Sequence, residues 1–276
     1  RADWLTSTSR TFREKKIVKP TSLPIWRSTR RPRLEAPPGA QSATGIKLDS
    51  ILSRLLFAAR FRDLNLLISD QVTQDSQLLM NRSLGERLHL IAPFLAYDKD
   101  PYLVITDEGR LAYIQDAYTV SDRFPNAEPF DGDTLGDRSG FRGQSINYLR
   151  NSVKVVMDAY DGRMTFYIAD PSDPLVRAWS GVFPTLFHPI SEMSAGLQAH
   201  LRVPEELFNV QTRVFARYHV TDPASFYQGD DLWTVPQNQS SGTTGQLPLE
   251  AYYVYMRMPG EANPEFLLLQ PMVPTG

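Results

Sequence analysis

Two runs on either side of Asp161-Gly162 constrain the fold of this chain more than any other feature. In the first run, Val153–Asp158, every second residue is Val or Met, and the second run is Met164–Ile168. Side chains two residues apart share one face of a strand, and Asp-Gly is typical of tight turns whose two central residues have positive φ. We therefore predict an antiparallel hairpin with such a turn. Four of its side chains are predicted to lie in the core: Val153, Val155, Met157 and Phe166.

Two further hairpins are predicted from β-rich runs that are separated by turn residues. Tyr102–Thr106 is followed after a four-residue turn by Leu111–Tyr118, and Ala251–Met258 is followed beyond a Pro-Gly pair by Glu265–Gln270. Valine, isoleucine and aromatic residues favour strands, and glycine and proline interrupt them. Between the hairpins, Glu128–Gly143 is rich in Gly and Asp, so we predict a loop there.

Helices are predicted where capping residues precede apolar residues at helical spacing. Asp49-Ser50 precedes one such set, and Ser83–Glu86 can form a reciprocal cap before a helix that Pro93 ends. Asp173-Pro174 and Asp222-Pro223 each place a capping carboxylate before a proline at the first helical position. The apolar residues after Asp49-Ser50 form one face of an amphipathic helix: Ile51, Leu52, Leu55, Leu56 and Ala59.

A longer helix is predicted to begin at Pro204-Glu205-Glu206. Its apolar face comprises Leu207, Val210, Val214 and Tyr218. Hairpins interspersed with helices, without a regular βαβ alternation, indicate the α+β class. We therefore predict an α+β fold of antiparallel β-hairpins and helices, preceded by an extended basic arm.

That arm differs from the rest of the chain in charge. Residues 1–35 contain ten Lys or Arg and three Asp or Glu, whereas the remainder contains 19 basic and 28 acidic residues. Prolines and glycines are frequent there, so we predict that residues 1–45 form an extended basic connector and residues 46–276 the folded region. The arm can bind anionic lipid headgroups or remain a solvated terminus. No nucleic-acid partner is predicted, because we find no zinc-finger spacing and no aromatic-plus-basic strand pattern.

Residues that bind metals or carry catalysis occur without a recognisable pattern. The chain has no cysteine, which excludes disulfides, thiol nucleophiles and zinc–thiolate sites. The four histidines include no HExxH pair, and nucleophile elbows and Walker-type loops are absent. One set of side chains could converge on a metal through folding: His200, Glu205 or Glu206, and His219.

Two other sets could also bind ligands. Asp131-Gly132-Asp133 with Asp137 resembles the start of a calcium loop, but the bidentate Glu of an EF-hand is missing. Aromatic residues could line a sugar or peptide groove, although such residues also build cores: Phe226, Tyr227, Trp233, Tyr252, Tyr253 and Tyr255. We predict no catalytic, cofactor-binding or metal-binding residue and no cofactor.

No stretch of the chain reaches the roughly 18 apolar residues that a membrane span requires. The most apolar long segment, Ile51–Ile68, is interrupted by charged residues. The chain begins at Arg1 without a signal peptide and ends at Pro274-Thr275-Gly276. We therefore expect an excerpt of a longer protein, truncated at its C-terminal end.

Several strings resemble one protein family. Asn147–Gly162 (NYLRNSVKVVMDAYDG) is similar to the signature of uncharacterised protein family 0182. Arg54–Asn65 (RLLFAARFRDLN), Ile91–Tyr102 (IAPFLAYDKDPY) and Phe226–Trp233 (FYQGDDLW) match in the same order. The resemblance covers about residues 45–273, nearly all of the predicted folded region.

The resemblance implies a location. Members are large bacterial multi-pass membrane proteins in which a bundle of transmembrane helices precedes a large region in the water outside the cytoplasm. It implies no activity, cofactor or catalytic residue. We therefore expect an extracytoplasmic region of a bacterial integral membrane protein, attached to the membrane through helices outside this chain. An envelope protein could be a second partner.

Three functions follow from these observations. The first is a non-catalytic interaction or structural region of the cell envelope, which a broad apolar patch would favour. The second is an envelope hydrolase acting on glycans or peptides, which a cleft with two carboxylates of shifted pKa would favour. The third is a binding or inhibitory module, because Val155–Phe166 is similar to the hairpin of PepSY-type domains. A four-stranded sheet with one packed helix would favour the third.

Overall fold

A computed structural model describes residues 45–69, 72–73, 76–78, 80–81, 83–135, 139–238 and 247–275. The predicted basic connector, apart from Gly45, and Asp137 lie outside the described residues. Within these ranges there are seven α-helices: α1 (Ile51–Phe61), α2 (Asn65–Ile68), α3 (Leu84–Ile91), α4 (Pro174–Val182), α5 (Ala195–Ala199), α6 (Glu205–Tyr218) and α7 (Pro223–Gln228).

The strands of the described part are short except for β5 and β8. They are β1 (Ile46–Lys47), β2 (Gln77–Leu78), β3 (Ala96–Tyr97), β4 (Tyr102–Ile105), β5 (Leu111–Ser121), β6 (Phe130–Asp131), β7 (Ser145–Ile146), β8 (Tyr148–Asp158), β9 (Met164–Ile168), β10 (Phe187–Pro189), β11 (Trp233–Thr234), β12 (Gln237–Asn238), β13 (Leu247–Pro248), β14 (Tyr252–Met256), β15 (Glu265–Leu269) and β16 (Val273–Pro274). Two 3-10 helices, Gly132–Leu135 and Ile190–Glu192, accompany them.

The largest sheet of the described part has six strands. Its order is β10-β9-β8-β5-β3, and β4 also pairs with β5. All neighbours are antiparallel except β10, which runs parallel to β9. Pairs β4–β5, β8–β9 and β14–β15 are the three predicted hairpins, so those predictions are confirmed. Together with the helices, these hairpins confirm the α+β class.

The core lies on both faces of this sheet, because side chains of β5 and β8 alternate between the faces. One face carries a cluster of buried residues: Leu88, Ala92, Leu95, Tyr97, Ala117, Val153, Val155, Phe166 and Val176. The other face carries Val104, Ala112, Ile114, Met193 and Leu197. The four predicted core side chains of the β8–β9 hairpin are all buried, which confirms the predicted register.

The turn of that hairpin is wider than predicted. Gly162 has a φ of 69°, but Asp161 does not have positive φ, so the prediction of positive φ at both positions is wrong. The Asp158 carboxylate accepts hydrogen bonds from the backbone N–H groups of Tyr160 (2.8 Å) and Asp161 (3.1 Å). The Gly162 N–H donates to the Asp158 carbonyl oxygen at 2.9 Å. These bonds stabilise a five-residue loop between β8 and β9.

The predicted helix starts are correct, but one predicted cap does not form. The Ser50 hydroxyl accepts a hydrogen bond from the Ser53 N–H at 3.1 Å and caps α1. Ser83 precedes α3 without a side-chain capping bond. Only its carbonyl oxygen takes part in the first turn, accepting from the Arg87 N–H at 3.2 Å. The reciprocal cap predicted at Ser83 and Glu86 is therefore wrong.

The described residues of the predicted loop Glu128–Gly143 include a strand and a 3-10 helix. β6 pairs with β7, and a 3-10 helix follows β6. Phe141 is fully buried, with its ring centroid 5.2 Å from that of Tyr118. This contact explains why a Gly- and Asp-rich segment packs against the sheet. None of the helices in the described ranges is long and apolar enough to cross a membrane.

Candidate functional site

Two buried carboxylates meet where α6 begins, and they are the strongest candidate for acid–base chemistry in the described residues. Asp98 is 6% exposed and Glu206 is 1% exposed. The Tyr118 hydroxyl donates to Asp98 Oδ2 at 2.5 Å, and the Glu206 backbone N–H donates to the same oxygen at 3.3 Å. The Glu206 carboxylate accepts from the backbone N–H groups of Lys99 (3.1 Å) and Gly140 (2.9 Å). Glu206 therefore connects α6 to two other segments.

Burial changes the acidity of both carboxyl groups. It raises the pKa of Glu206 to about 7, and the charge of Asp98 acts in the same direction. Hydrogen bonds from Ser139, Gly140 and Lys99 oppose part of this rise. Burial also raises the pKa of Asp98, against hydrogen bonds from Tyr118 and the Asp100 N–H. The value for Glu206 suits a proton donor, because a group whose pKa lies near neutral pH can gain and lose a proton there.

A buried ion pair lies in the same part of the sheet. Asp116 and Lys154 are cross-strand partners on β5 and β8, and Lys154 Nζ donates to Asp116 Oδ1. Their side chains are 2% and 8% exposed. An ion pair in this position holds the two central strands in register, because removing either partner would leave an unpaired buried charge.

An arginine lies between two aromatic rings near this pair. The Arg202 guanidinium carbon is 4.0 Å from the Tyr102 ring centroid and 4.7 Å from that of Tyr253. The same guanidinium pairs with Asp100. The Tyr102 hydroxyl is buried and has no hydrogen-bond partner among the described residues. Burial and the nearby charge of Asp116 raise the pKa of Tyr102 well above its ordinary value, so this hydroxyl keeps its proton.

A third buried carboxylate caps a helix. Asp173 accepts hydrogen bonds from the hydroxyls of Ser152 (2.5 Å), Thr119 (2.5 Å) and Tyr148 (2.6 Å). It also accepts from the Leu175 N–H at 3.0 Å and so caps α4. Burial alone would raise the pKa of Asp173, but these four hydrogen bonds outweigh it and lower the pKa. Asp173 is therefore an ionised structural group.

The chemistry of the buried carboxylates depends on whether a substrate can reach them. Asp98, Asp116, Asp173 and Glu206 are all buried. A groove of about 350 Å³ lies elsewhere, between β9, β10 and the end of α4, and its lining is mostly apolar: Ile168, Pro171, Ser180, Pro184, Phe187, Pro189, Ile190 and Ser191. The arrangement can hold and release a proton, but a substrate would have to pass packed side chains to reach it.

An exposed apolar surface is the second candidate. We call Ile51, Leu52, Leu55 and Leu56 the free face of α1. These side chains are 82%, 65%, 51% and 61% exposed, respectively. The other side of α1 contacts the protein: Ala58 is buried, and Arg54 Nε donates to the Leu48 carbonyl oxygen at 3.0 Å. The amphipathic helix predicted from sequence is confirmed, but its apolar face points into solvent.

Comparison with known proteins identifies the family. The model of the uncharacterised protein family UPF0182 matches residues 40–276. This chain belongs to the UPF0182 family. UPF0182 proteins of Geobacter sulfurreducens and Bradyrhizobium diazoefficiens are each 45% identical to it over 231 residues, or 84% of this chain. Those residues are 24% and 23% of the two relatives, so the chain spans about a quarter of the length of the curated relatives it matches. No solved structure matches it.

The metal ligands considered from the sequence do not converge in this UPF0182 chain. Glu206 lies in the first turn of α6 and contacts the Asp98 region, whereas His219 follows the last turn. Thirteen residues of helix separate two such positions by about 20 Å. His219 packs on Trp233, with ring centroids 4.1 Å apart. Within the residues that the structure describes, no group of three or more His, Asp or Glu is arranged to hold a metal ion.

The acidic residues of the calcium-like string serve the backbone instead. Asp131 Oδ1 accepts from the Asp133 N–H at 3.0 Å, and Asp133 Oδ1 accepts from the Gly143 N–H at 2.7 Å. The aromatic residues that could line a groove do not form one surface. Trp233 packs near the end of α6, whereas Tyr253 stacks on Phe266 and donates to the Val203 carbonyl oxygen, before the start of α6.

Sequence reasoning missed the cluster around Asp98 and Glu206. Asp98 belongs to no recognisable motif, and Glu206 is predicted only to lie at a helix start and to be a possible metal ligand. No local signal pairs them, because 108 residues separate them in the chain. The sequence indicates only that Glu206 is an acidic residue in the first turn of a helix, where a negative charge is favourable.

Proposed function

We propose that this chain is a non-catalytic interaction region of a UPF0182 protein, in the water outside the cytoplasm of a bacterial cell. The observation that carries the proposal is the free face of α1. Four adjacent large apolar side chains, each more than half exposed, are unfavourable in water and are typical of surfaces that bind a partner. Leu64, just before α2, and Ile68, at the end of α2, are also large apolar side chains exposed to solvent.

The buried carboxylates support the non-catalytic part of the proposal. Each accepts hydrogen bonds or an ion pair from a neighbouring segment, and each is enclosed. Groups used in this way connect the helices to the sheet. In this proposal, these contacts hold the folded region together so that it can present its exposed surface to a partner.

The location is part of the proposal and rests on the resemblance to multi-pass membrane proteins. Relatives are about four times longer than the matched region, which leaves room for transmembrane helices elsewhere in such proteins. The partner of the free face is then part of the cell envelope.

Cysteine labelling tests both parts, because this region has no cysteine of its own. Any cysteine elsewhere in the full-length protein would first be replaced by serine. We would place a single cysteine at Leu55, on the free face, or at Tyr227, which is 91% exposed. The full-length protein would be labelled in spheroplasts with a membrane-impermeant maleimide. We expect Tyr227→Cys to react from outside, and Leu55→Cys to be shielded until the protein is extracted in detergent.

Two outcomes would contradict the proposal. If Tyr227→Cys reacts only after lysis, the region lies in the cytoplasm. If Leu55→Cys reacts as fast as Tyr227→Cys in spheroplasts, the free face has no partner.

The pKa of Glu206 favours a second candidate, an envelope hydrolase that acts on glycans or peptides. A carboxyl group with a pKa of about 7 beside Asp98 could serve as a general acid if an opening exposed it. This candidate predicts that the purified protein releases soluble products from envelope glycan or peptides, and that Glu206→Gln abolishes the release. The PepSY-type alternative is not favoured, because the sheet has six strands with a parallel edge pair rather than four.

A further inference from the structure

We infer that the free face of α1 lies on the surface of an anionic lipid bilayer, with the helix parallel to the membrane plane. This inference rests on the proposed function, because it names the partner of the same face. The alternatives are a protein partner and a second copy of this chain.

The shape of the face fits a planar apolar partner. Residues 51, 52, 55 and 56 cover about 140° of the helix circumference at 100° per residue. The helix has eleven residues, so it is too short to span a bilayer and can only lie along its surface. Leu64 and Ile68, which follow α1 in the chain, are also exposed apolar residues.

The positive charge of α1 favours anionic lipid headgroups over a second copy of this chain as the partner. α1 contains Arg54 and Arg60 and no acidic residue, and its C-cap is Arg62. Arg60 and Arg62 are exposed. Asp49 and Asp63 flank the helix, so the segment from Lys47 to Asp63 keeps an excess of positive charge. Two such helices from two copies would repel each other.

The positive charge of α1 contrasts with the net negative charge of the region that contains it. Residues 36–276 contain 19 basic and 28 acidic residues, so α1 is a cationic helix on an acidic region. An acidic region is repelled by anionic lipid, and a helix with apolar and arginine side chains overcomes that repulsion locally. This combination is typical of helices that lie in the bilayer interface.

The test uses an environment-sensitive fluorophore on single cysteines. The full-length Leu55→Cys and Tyr227→Cys proteins would be labelled with a nitrobenzoxadiazole maleimide and reconstituted into two kinds of vesicle. One kind is phosphatidylcholine alone, and the other contains phosphatidylglycerol as well. We expect a blue shift and brighter emission at position 55 with the anionic vesicles only, and no change at position 227.

A matched variant shows that the apolar face is responsible. Leu52→Ser in the Leu55→Cys chain should weaken partitioning by about tenfold, from the transfer free energy of a leucine side chain. Tyr227→Ser should leave partitioning unchanged. All variants share the basic residues 1–35, so a difference between them reports on α1.

Three results would overturn the inference. The first is no shift at position 55 with anionic vesicles while Leu55→Cys stays shielded in spheroplasts; the proposed interaction function then stands with a protein partner. The second is an equal shift at positions 55 and 227, which indicates general adsorption. The third is free reaction of Leu55→Cys in spheroplasts, which rejects the proposed function as well.

Discussion

Glu206 shows how one side chain can connect distant segments at an energetic cost. Its carboxylate receives two backbone hydrogen bonds, from Lys99 and Gly140, and thereby ties α6 to both loops. Enclosing the group also removes it from water, which disfavours its charged form. The stability of the protein should therefore depend on whether Glu206 carries a proton.

We predict that Glu206 makes the protein less stable as pH rises. Its pKa is about 7 in the folded protein and 4.5 in the unfolded chain. A raised carboxyl pKa contributes stability below the unfolded value, and the contribution is lost as pH rises through the folded value. The loss is about 3 kcal/mol between roughly pH 4.5 and pH 8. Urea unfolding of wild type and Glu206→Gln at several pH values across this interval measures the loss. It is the difference between the two proteins in how steeply the free energy of unfolding falls with pH.

Glu261→Gln is the control, because Glu261 is exposed. It should follow the wild-type profile. Equal pH slopes for wild type and Glu206→Gln would show that Glu206 ionises as easily in the folded protein as in the unfolded chain.

Val155 provides a second prediction at the scale of one residue. It lies fully buried in β8, so Val155→Asp places a carboxylate among apolar side chains. We expect the free energy of unfolding to fall by at least about 4 kcal/mol. Ile105→Asp is the matched control: Ile105 lies on β4 and is 62% exposed, and its change should cost less than about 1 kcal/mol. A soluble Val155→Asp protein with an unchanged urea midpoint would refute the register of β8.

Two helices begin with the same Asp-Pro sequence, but the two capping carboxylates differ in how many other groups they bind. Asp222 caps α7 at the surface by accepting from the Ser225 N–H at 2.8 Å. Asp173 caps α4 and also accepts from hydroxyls on β5 and β8, so it joins a helix to the central strands. The same motif is therefore a local cap in one place and part of the core in the other.

We predict that the two caps differ in their contribution to stability. Asp173→Ala removes the cap and leaves the buried hydroxyls of Thr119 and Ser152 without their carboxylate acceptor, which should cost about 3 kcal/mol. Asp222→Ala should cost about 1 kcal/mol. Chemical denaturation of both variants measures the difference. Equal losses would mean that the hydroxyl contacts of Asp173 contribute nothing to stability.

On the scale of the whole molecule, stability is unevenly distributed. β5 and β8 have hydrogen-bonded neighbours on both sides and carry core residues on both faces. In α1 only Ala58 is buried, although the helix contains six large apolar residues. Burial of apolar surface is the main stabilising contribution to folding, so α1 gains little from the rest of the chain.

Hydrogen exchange should reveal this difference directly. We predict that amides of β8 exchange only through global unfolding, whereas amides of α1 exchange orders of magnitude faster through local opening. Mass spectrometry of peptides from both segments measures the rates. Exchange of α1 as slow as that of β8 would show that the helix is held by contacts equal to those of the sheet.

Local chemistry made much of the fold predictable. The β8–β9 hairpin, the helices after Ser50, Asp173 and Asp222, and the α+β class follow from residue spacing and capping. These are properties of neighbouring residues, so they can be read without knowing the fold. The turn at Gly162 is wider than its Asp-Gly pair predicts, because the Asp158 carboxylate stabilises a longer loop.

The sequence alone determined where the three hairpins and the capped helices form, which residues of β8 face inward, and membership of a family. Only the tertiary structure decided which surfaces stay exposed and which charges are buried. Burial depends on residues that are distant in the chain: Asp98 meets Glu206 across 108 positions, and Asp116 meets Lys154 across 38. The apolar pattern of α1 predicted a helix, but whether its face meets the core or a partner depends on the packing of the whole molecule.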